Sequence, residues 1–387
     1  MLFTCRPLTG HFRPLLPLAE ACRQAGHEVA FAAADPIAED AEREGFKALR
    51  VGLGPESRLQ LLARHPDLDA IPRSELRATF FSELFVEIEL APRARDLDLA
   101  VEDWTPDLLV HDVAEFAAPL VAQSRRLPYA THGFGAAVPE AVVRAAAAAA
   151  EPIWRSFGVE PRLRAGLYEH LYLDVFPPSL QEPAVLGLGR VQQLRTVDRT
   201  SATADRSVWI ARGDDRPLVY VTLGTVYNRK REVFRAILDG LADLDLVAVV
   251  TVGAQNDPTD LGDLPQNVTA HHYIPQAELL PHCAAAIVHG GSGTLLGALA
   301  EGVPLVLVPQ GADQFSNAAR VAAAGAGLEL LPESMFSTGV RESVETILGE
   351  RSYKVEAERI GGEIAALPSP SEALVALEGL VGDGQGG

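Results

Sequence analysis

Residues 287–317, Ile-Val-His-Gly-Gly-Ser-Gly-Thr-Leu-Leu-Gly-Ala-Leu-Ala-Glu-Gly-Val-Pro-Leu-Val-Leu-Val-Pro-Gln-Gly-Ala-Asp-Gln-Phe-Ser-Asn, leave this chain few ways to fold. The apolar run ending at Val288 is long enough only for a short buried strand. Gly290, Gly291 and Gly293 then form a tight turn, and a helical pattern through Leu295, Leu296 and Leu299 begins near Ser292–Thr294. Gly302 and Pro304 stop that helix. Residues 305–308 read as a second buried strand, whose C-terminal end delivers Asp313 and Gln314. The start of the chain repeats this β-α-β logic. An apolar run over 2–5, a turn at Thr9-Gly10-His11, a helical pattern over 13–24 and a C-capping Gly26 lead to a strand over Val29–Ala33. An α/β protein with open parallel sheets is the expectation.

The 287–317 stretch also carries chemistry. A glycine turn on a helix N-terminus presents free backbone N–H groups and the positive end of the helix dipole, which suits a phosphate. His289 can add a donor on one side, and the Ser292 and Thr294 hydroxyls on the other. A tight turn without a ligand, with His289 merely packed at a strand end, is the alternative. Asp313 and Gln314 favour the ligand, because a carboxylate and a carboxamide beyond a strand's C-terminal end suit a sugar with several hydroxyls. Phosphate at one end and polyol at the other describe a nucleotide-sugar.

The segment Tyr273-Ile-Pro-Gln, then Leu279-Leu-Pro-His282, His289-Gly-Gly-Ser-Gly-Thr294 and Asp313-Gln314 resembles the donor-binding signature of glycosyltransferase family 1. The resemblance is greatest to the actinobacterial branch that decorates macrolides, enediynes and aromatic polyketides, and a weaker similarity covers nearly the whole chain. It implies the GT-B fold, two Rossmann-like domains facing across a cleft.

With 387 residues there is room for two such domains. The stretch from about 183 to 217 has Pro183, glycines and Thr/Ser/Asp but few apolar residues, as a linker would. The expected division is an N-terminal acceptor domain over 1–200, a linker over 201–217 and a donor domain over 218–367. A segment over 368–387 should cross back, its last residues, Gly382–Gly387, disordered. No apolar run reaches a bilayer's thickness and no signal peptide precedes the first strand, so a cytoplasmic protein is expected. A net charge of −19 argues against nucleic acid and anionic membrane as partners. Cys5, Cys22 and Cys283 are widely spaced in apolar surroundings and read as core thiols. Nothing in the residues reads on oligomeric state; a homodimer is the default.

His11, in Gly10-His11-Phe12-Arg13-Pro14, follows the first strand at the end where ligands bind, and an ordinary imidazole suits proton abstraction near neutral pH. A helix-capping or surface histidine is the alternative. In the resembling family the matching histidine is the general base, and Asp112 matches the aspartate that orients it. Asp107 and Glu115 are rivals for that carboxylate; Asp107 stands at the wrong end of its strand. The resemblance further implies Gly224 and Thr225 beside the diphosphate with Gly291, Ser292, Gly293 and Thr294. Tyr273 would stack on the nucleobase, with the Ile274 backbone hydrogen-bonding its edge. Asn317 is open between a sugar or phosphate contact and a helix-surface residue.

The acceptor, a large apolar aglycone, would lie against variable helices of the first domain, where Phe80, Phe81, Phe85, His132, Trp154 and Phe157 are candidates; core packing is the alternative for the aromatic ones. The expected reaction is a single in-line displacement with inversion, from a thymidine diphosphate deoxysugar. No Asp-x-Asp pair lies near the donor segment, so neither a metal nor another cofactor is expected, the nucleotide-sugar being a co-substrate. A dehydrogenase would need Gly-x-Gly-x-x-Gly after its first strand, absent from 8–14 and 222–229. An epimerase would not need His11 and Asp112 together. A non-catalytic nucleotide-sugar-binding auxiliary or sensor protein would keep the donor site and tolerate loss of His11.

Overall fold

A computed structural model describes residues 1–182, 185, 188–196, 209, 214–224, 230–253 and 255–384. The chain forms two compact units. The first comprises Met1–Phe176, Gln181–Thr196 and Pro368–Gly387, the second Pro177–Leu180 and Val197–Leu367.

The first unit is built on seven strands: β1 (Leu2–Thr4), β2 (Ala30–Ala33), β3 (Lys47–Arg50), β4 (Leu109–Asp112), β5 (Tyr129–His132), β6 (Tyr172–Asp174) and β7 (Val191–Gln193). All pair in parallel, in the order β3-β2-β1-β4-β5-β6-β7. The central strands are short apolar runs buried on both faces, as parallel strands covered by helices must be. Their alternation feeds two cores. Leu2, Leu109 and Ala32 face the helices Leu90–Trp104, Ala117–Arg125 and Glu140–Ser156. Phe3, Phe31 and Val110 face the opposite layer, where the helix Pro370–Gly384 packs Ala373, Leu374 and Leu377 against the helix Leu16–Gln24.

The second unit has six parallel strands, β8 (Leu218–Thr222), β9 (Val247–Thr251), β10 (Val268–His271), β11 (Ala285–Val288), β12 (Leu305–Leu307) and β13 (Gly327–Glu329). Their order is β10-β9-β8-β11-β12-β13. Each sheet therefore starts at an interior strand, winds to one edge and then restarts on the other side. The order reverses between β1 and β4 and again between β8 and β11, and at such switch points the loops part and leave a crevice for a ligand.

Several local expectations are corrected. The turn at Thr9–His11 is a helical turn, Thr9–Phe12, which runs through a 3₁₀ turn over Arg13–Leu15 into the helix Leu16–Gln24. Pro14 and Pro17 sit early in their turns, where the missing N–H costs little. The helical pattern through Phe80 and Leu90 is π-helical over Phe80–Ile88 and continues as an α-helix to Trp104. The mixed region over 152–175 ends in strand β6, and β7 lies inside the stretch read as linker-like. The final helix runs to Gly384, past the start of the expected disorder. Most of the expected 201–217 linker, Thr225 and residues 385–387 lie outside the described residues.

Candidate functional site

In the first unit the switch point brings together the loop after β1 and the end of β4. His11 sits in the short helix after β1, its N–H donating to Leu8 O at 2.9 Å. Its Nδ1 lies 3.1 Å from Asp112 Oδ1. Asp112 closes β4, is 1 % exposed and is held by backbone donors: Ala114 N–H to Oδ1 at 2.7 Å, Arg6 N–H to Oδ2 at 2.8 Å. Burial alone would push this carboxyl up. The His11 charge and hydrogen bond, with the N–H groups of Arg6 and Ala114, outweigh it and hold it at about 2. An ionised Asp112 can only accept, so Nδ1 of His11 carries the proton and Nε2 keeps its lone pair. The Phe134 ring packs on the imidazole, centroids 4.6 Å apart.

The rival carboxylates are placed elsewhere. Asp107 precedes β4, at the opposite end from His11. Glu115 is buried, pairs with Arg93 at 2.9 Å and accepts from the N–H groups of Ala117 and Ala118. His111, next to Asp112 in sequence, is fully buried and spends both ring nitrogens inside the fold: Nδ1 donates to Glu115 O at 2.8 Å and Nε2 accepts from Thr131 Oγ1 at 2.9 Å.

The expected acceptor residues divide. Phe80 and Phe85 are half-buried on the π-helical segment, ring centroids 6.3 Å apart. Phe81 is buried between Phe85 and Phe116 and serves the core. Trp154 is corrected: it is 1 % exposed, inside the core beside Gly166, whose neighbour Tyr129 opens β5 at the end away from His11. Phe157, half-buried, caps the same helix end. His132 pairs in register with Asp112 but is enclosed, and burial lowers its pKa to about 4, so the ring is neutral. Neither its Nδ1 nor its Nε2 has a hydrogen-bond partner among the described residues. As it stands, His132 is not open to a ligand.

In the second unit the switch point joins the ends of β8 and β11. Gly224 follows β8 with φ +74, and a Cβ there would meet the His289 ring at 2.5 Å. A Cβ on Gly291 would come within 2.4 Å of His289 Nε2. The imidazole therefore fits only because both neighbours are glycine. His289 is 9 % exposed, and burial holds its pKa near 4 against the raising effect of Asp313. Gly290 takes φ +85 and Gly291 caps the helix Ser292–Ala300, whose first N–H groups have no intrahelical acceptor. Gly293 is exposed with open space where a Cβ would be. Thr294 Oγ1 accepts from Gln276 Nε2 at 3.3 Å.

Asp313 Oδ2 accepts from Ser292 Oγ at 3.1 Å and from Asn317 Nδ2 at 3.0 Å, tying this carboxylate to the glycine turn. Asn317 is fully buried and also donates to Gly290 O, so it is an interior brace; both the ligand-contact and the helix-surface alternatives fail. Gln314 is 4 % exposed, and its Oε1 accepts from the N–H groups of Gln310 and Gly311, so that among the described residues only the Nε2 side of the carboxamide is uncommitted. Tyr273, beyond β10, is 63 % exposed, while the side chain of Ile274 is buried. The structure thus gathers Gly224, His289, Gly291–Thr294, Asp313 and Gln314 at one switch point, and His11 with Asp112 at the other.

Comparison with known proteins gives the same direction. The family model "Erythromycin biosynthesis protein CIII-like, C-terminal domain" matches residues 235–380. L-demethylnoviosyl transferase of Streptomyces niveus is 30% identical over 388 residues, covering 99% of this chain and 98% of that protein. Among solved structures, the calicheamicin glycosyltransferase CalG4 aligns with a TM-score of 0.82 at 26% identity, covering 98% of each chain. The glycosyltransferase VinC in complex with dTDP aligns with a TM-score of 0.79 at 25% identity, covering 99% of this chain and 100% of that one.

Proposed function

The chain belongs to the GT-B glycosyltransferases of antibiotic biosynthesis, enzymes that join a nucleotide-bound sugar to a natural-product aglycone, and from that membership we propose a finer reading. It moves a deoxysugar from thymidine diphosphate to a hydroxyl of a large apolar aglycone, by one displacement with inversion and without a metal. The observation that carries this reading is the His11–Asp112 pair: an imidazole whose Nδ1 is fixed by an ionised, fully hydrogen-bonded carboxylate, leaving Nε2 as a base.

In this mechanism Nε2 of His11 accepts the proton of the acceptor hydroxyl as its oxygen attacks the anomeric carbon. Asp112 holds the ring in the reactive tautomer and stabilises the imidazolium that forms. In the second unit the N-terminal N–H groups of the helix Ser292–Ala300, the Ser292 and Thr294 hydroxyls and His289 receive the charge developing on the departing diphosphate. The Gly224 turn is the adjoining phosphate contact. Tyr273 stacks on the base, the Ile274 backbone hydrogen-bonds its edge, and Asp313 with the Nε2 side of Gln314 takes the sugar hydroxyls. The bound dTDP of VinC supports thymidine diphosphate as the nucleotide. Attack opposite the leaving group inverts the anomeric centre.

The test is a transfer assay with a panel of thymidine and uridine diphosphate sugars and apolar aglycones, read by mass spectrometry, alongside calorimetric titration of dTDP. His11→Ala should keep nucleotide binding within about twofold and lose transfer by at least about 100-fold, the scale of general base catalysis. Transfer surviving in His11→Ala would refute the base assignment.

A further inference from the structure

Beneath the His11–Asp112 pair lies a second pair of charges, Arg6 and Glu89, that no part of the mechanism uses. Both are interior, 5 % and 4 % exposed. The Arg6 guanidinium donates to both carboxylate oxygens of Glu89, its Nη2 reaching Oε1 at 3.1 Å. Ser57 Oγ donates to the same Oε1 at 2.7 Å. The guanidinium lies 3.6 Å from the centre of the Phe85 ring. A bidentate pair stacked on an aromatic ring holds Arg6 in one rotamer. Burying two charges is a poor way to gain stability, so such a pair is worth asking what it positions.

The backbone of Arg6 answers. Its N–H is the donor to Asp112 Oδ2, and the loop it belongs to runs within five residues into His11. The side chain of Arg6 is thus anchored in the core, its main chain grips the carboxylate, and the same loop carries the imidazole. We propose that Arg6 and Glu89 are positioning residues for the His11–Asp112 pair. Glu89 ends the π-helical segment that bears Phe80 and Phe85, so that segment and the pair are joined through one side chain. The proposal rests on the assignment of His11 as base.

The test uses the full chain with Glu89→Gln, which keeps shape but removes the charge that fixes Arg6. Ring nitrogen NMR, recorded at a pH high enough for the spectrum itself to show neutral rings, reports the His11 tautomer without needing any substrate. His11→Asn assigns the signal. Wild type should show a fixed Nδ1–H form. Glu89→Gln should show a mixture of tautomers and a kcat lower by about 10- to 100-fold, as a misplacement of about 1 Å can cause, while the KM for donor and dTDP binding stay within about twofold. A folded Glu89→Gln protein with the wild-type tautomer signature overturns the proposal. A tautomer change with kcat intact would instead sink the base assignment and leave the positioning role standing. Should Glu89→Gln fail to fold, Ser57→Ala and Arg6→Lys perturb the same pair more gently, with the same two outcomes.

Discussion

Replacing Asp112 by asparagine sets a stringent test of the proposed base, because the three donors around that carboxylate leave an amide no good orientation. Oδ1 receives Ala114 N–H and the His11 nitrogen, and Oδ2 receives Arg6 N–H. With the amide oxygen toward Ala114, the NH₂ confronts Arg6 N–H, a donor–donor clash costing about 1–3 kcal/mol in a buried site. With the amide reversed, the NH₂ confronts Ala114 N–H and faces His11, whose ring then answers with a lone pair on Nδ1 and a proton on Nε2. That is the wrong tautomer for accepting a proton, a change that can cost about 10⁴-fold in the unrelated Ser-His-Asp triad of proteases. Asp112→Asn should therefore lower kcat by about 10²- to 10⁴-fold with dTDP affinity unchanged.

Stability supplies a second arm to the same test. The folded carboxyl is held at about 2 against an ordinary 3.8, worth about 2 kcal/mol of native-state stability. A depressed carboxyl contributes fully above its unfolded pKa and loses that contribution as pH falls through the folded value. The stability gap between wild type and Asp112→Asn, measured by denaturant unfolding, should thus narrow as pH falls between about pH 4 and pH 2. A variant with kcat within about threefold of wild type would refute the orienting role of Asp112.

Three further outcomes are expected. In Gly291→Ala the added methyl would sit 2.4 Å from His289 Nε2, so ring and turn must part, and calorimetry should show dTDP binding weaker by at least about 10-fold while the His11 half is untouched. Trp154→Ala should destabilise the protein by about 3–5 kcal/mol through an unfilled core volume, read by denaturant midpoint, while acceptor KM in the folded enzyme stays put; a rise in KM without loss of stability would restore it as a ligand wall. Transfer rates should be unchanged by an excess of EDTA if, as proposed, the helix terminus and its neighbouring donors supply the positive end that a metal otherwise would; a drop reversed by added Mg²⁺ would show that a cation takes part.

How far the residues themselves announced all this depends on which kind of group was concerned. His11, His289 and the glycines were legible because each stands just past an apolar run, where chain order alone places it at a strand's C-terminal end. Asp112 was singled out by the family resemblance together with its place at the end of a strand, and Glu115 is set apart from it by its ion pair with Arg93. The second grip on Asp112 had no signature at all, since it is a main-chain N–H and every residue but proline has one. Phe134 against His11 was missed for a related reason: one aromatic in a glycine-rich loop says nothing about its direction. Trp154 failed the other way, because a large ring in a helix fits a core and a ligand wall equally well by composition. The edge strands β3 and β7 were missed because they are only four and three residues long and lack a fully buried run. Asn317 read as a surface or ligand residue because a side-chain amide is polar; three acceptors crowded round its Nδ2 made it an interior one.

Four of the histidines at or near the C-terminal ends of these strands, His11, His111, His132 and His289, show how burial, and not residue type, separates them. His111 is walled in, and its ring nitrogens are both spent inside the fold. His132 is enclosed without a hydrogen-bond partner among the described residues, and burial keeps it neutral, with a pKa near 4. His289, squeezed between two glycines, is likewise held near 4 and, among the described residues, has no hydrogen-bonded carboxylate to stabilise a proton. A neutral imidazole offers one N–H, which suits it to meet a phosphate oxygen. His11 alone of the four is only partly enclosed and shares Nδ1 with an ionised carboxylate, so protonating its Nε2 creates an ion pair instead of an isolated buried charge. The two sheets repeat one topology, yet in the proposed mechanism one switch point accepts a proton and the other holds an anion, and the difference lies in a single aspartate at the end of β4 set against a run of glycines after β11.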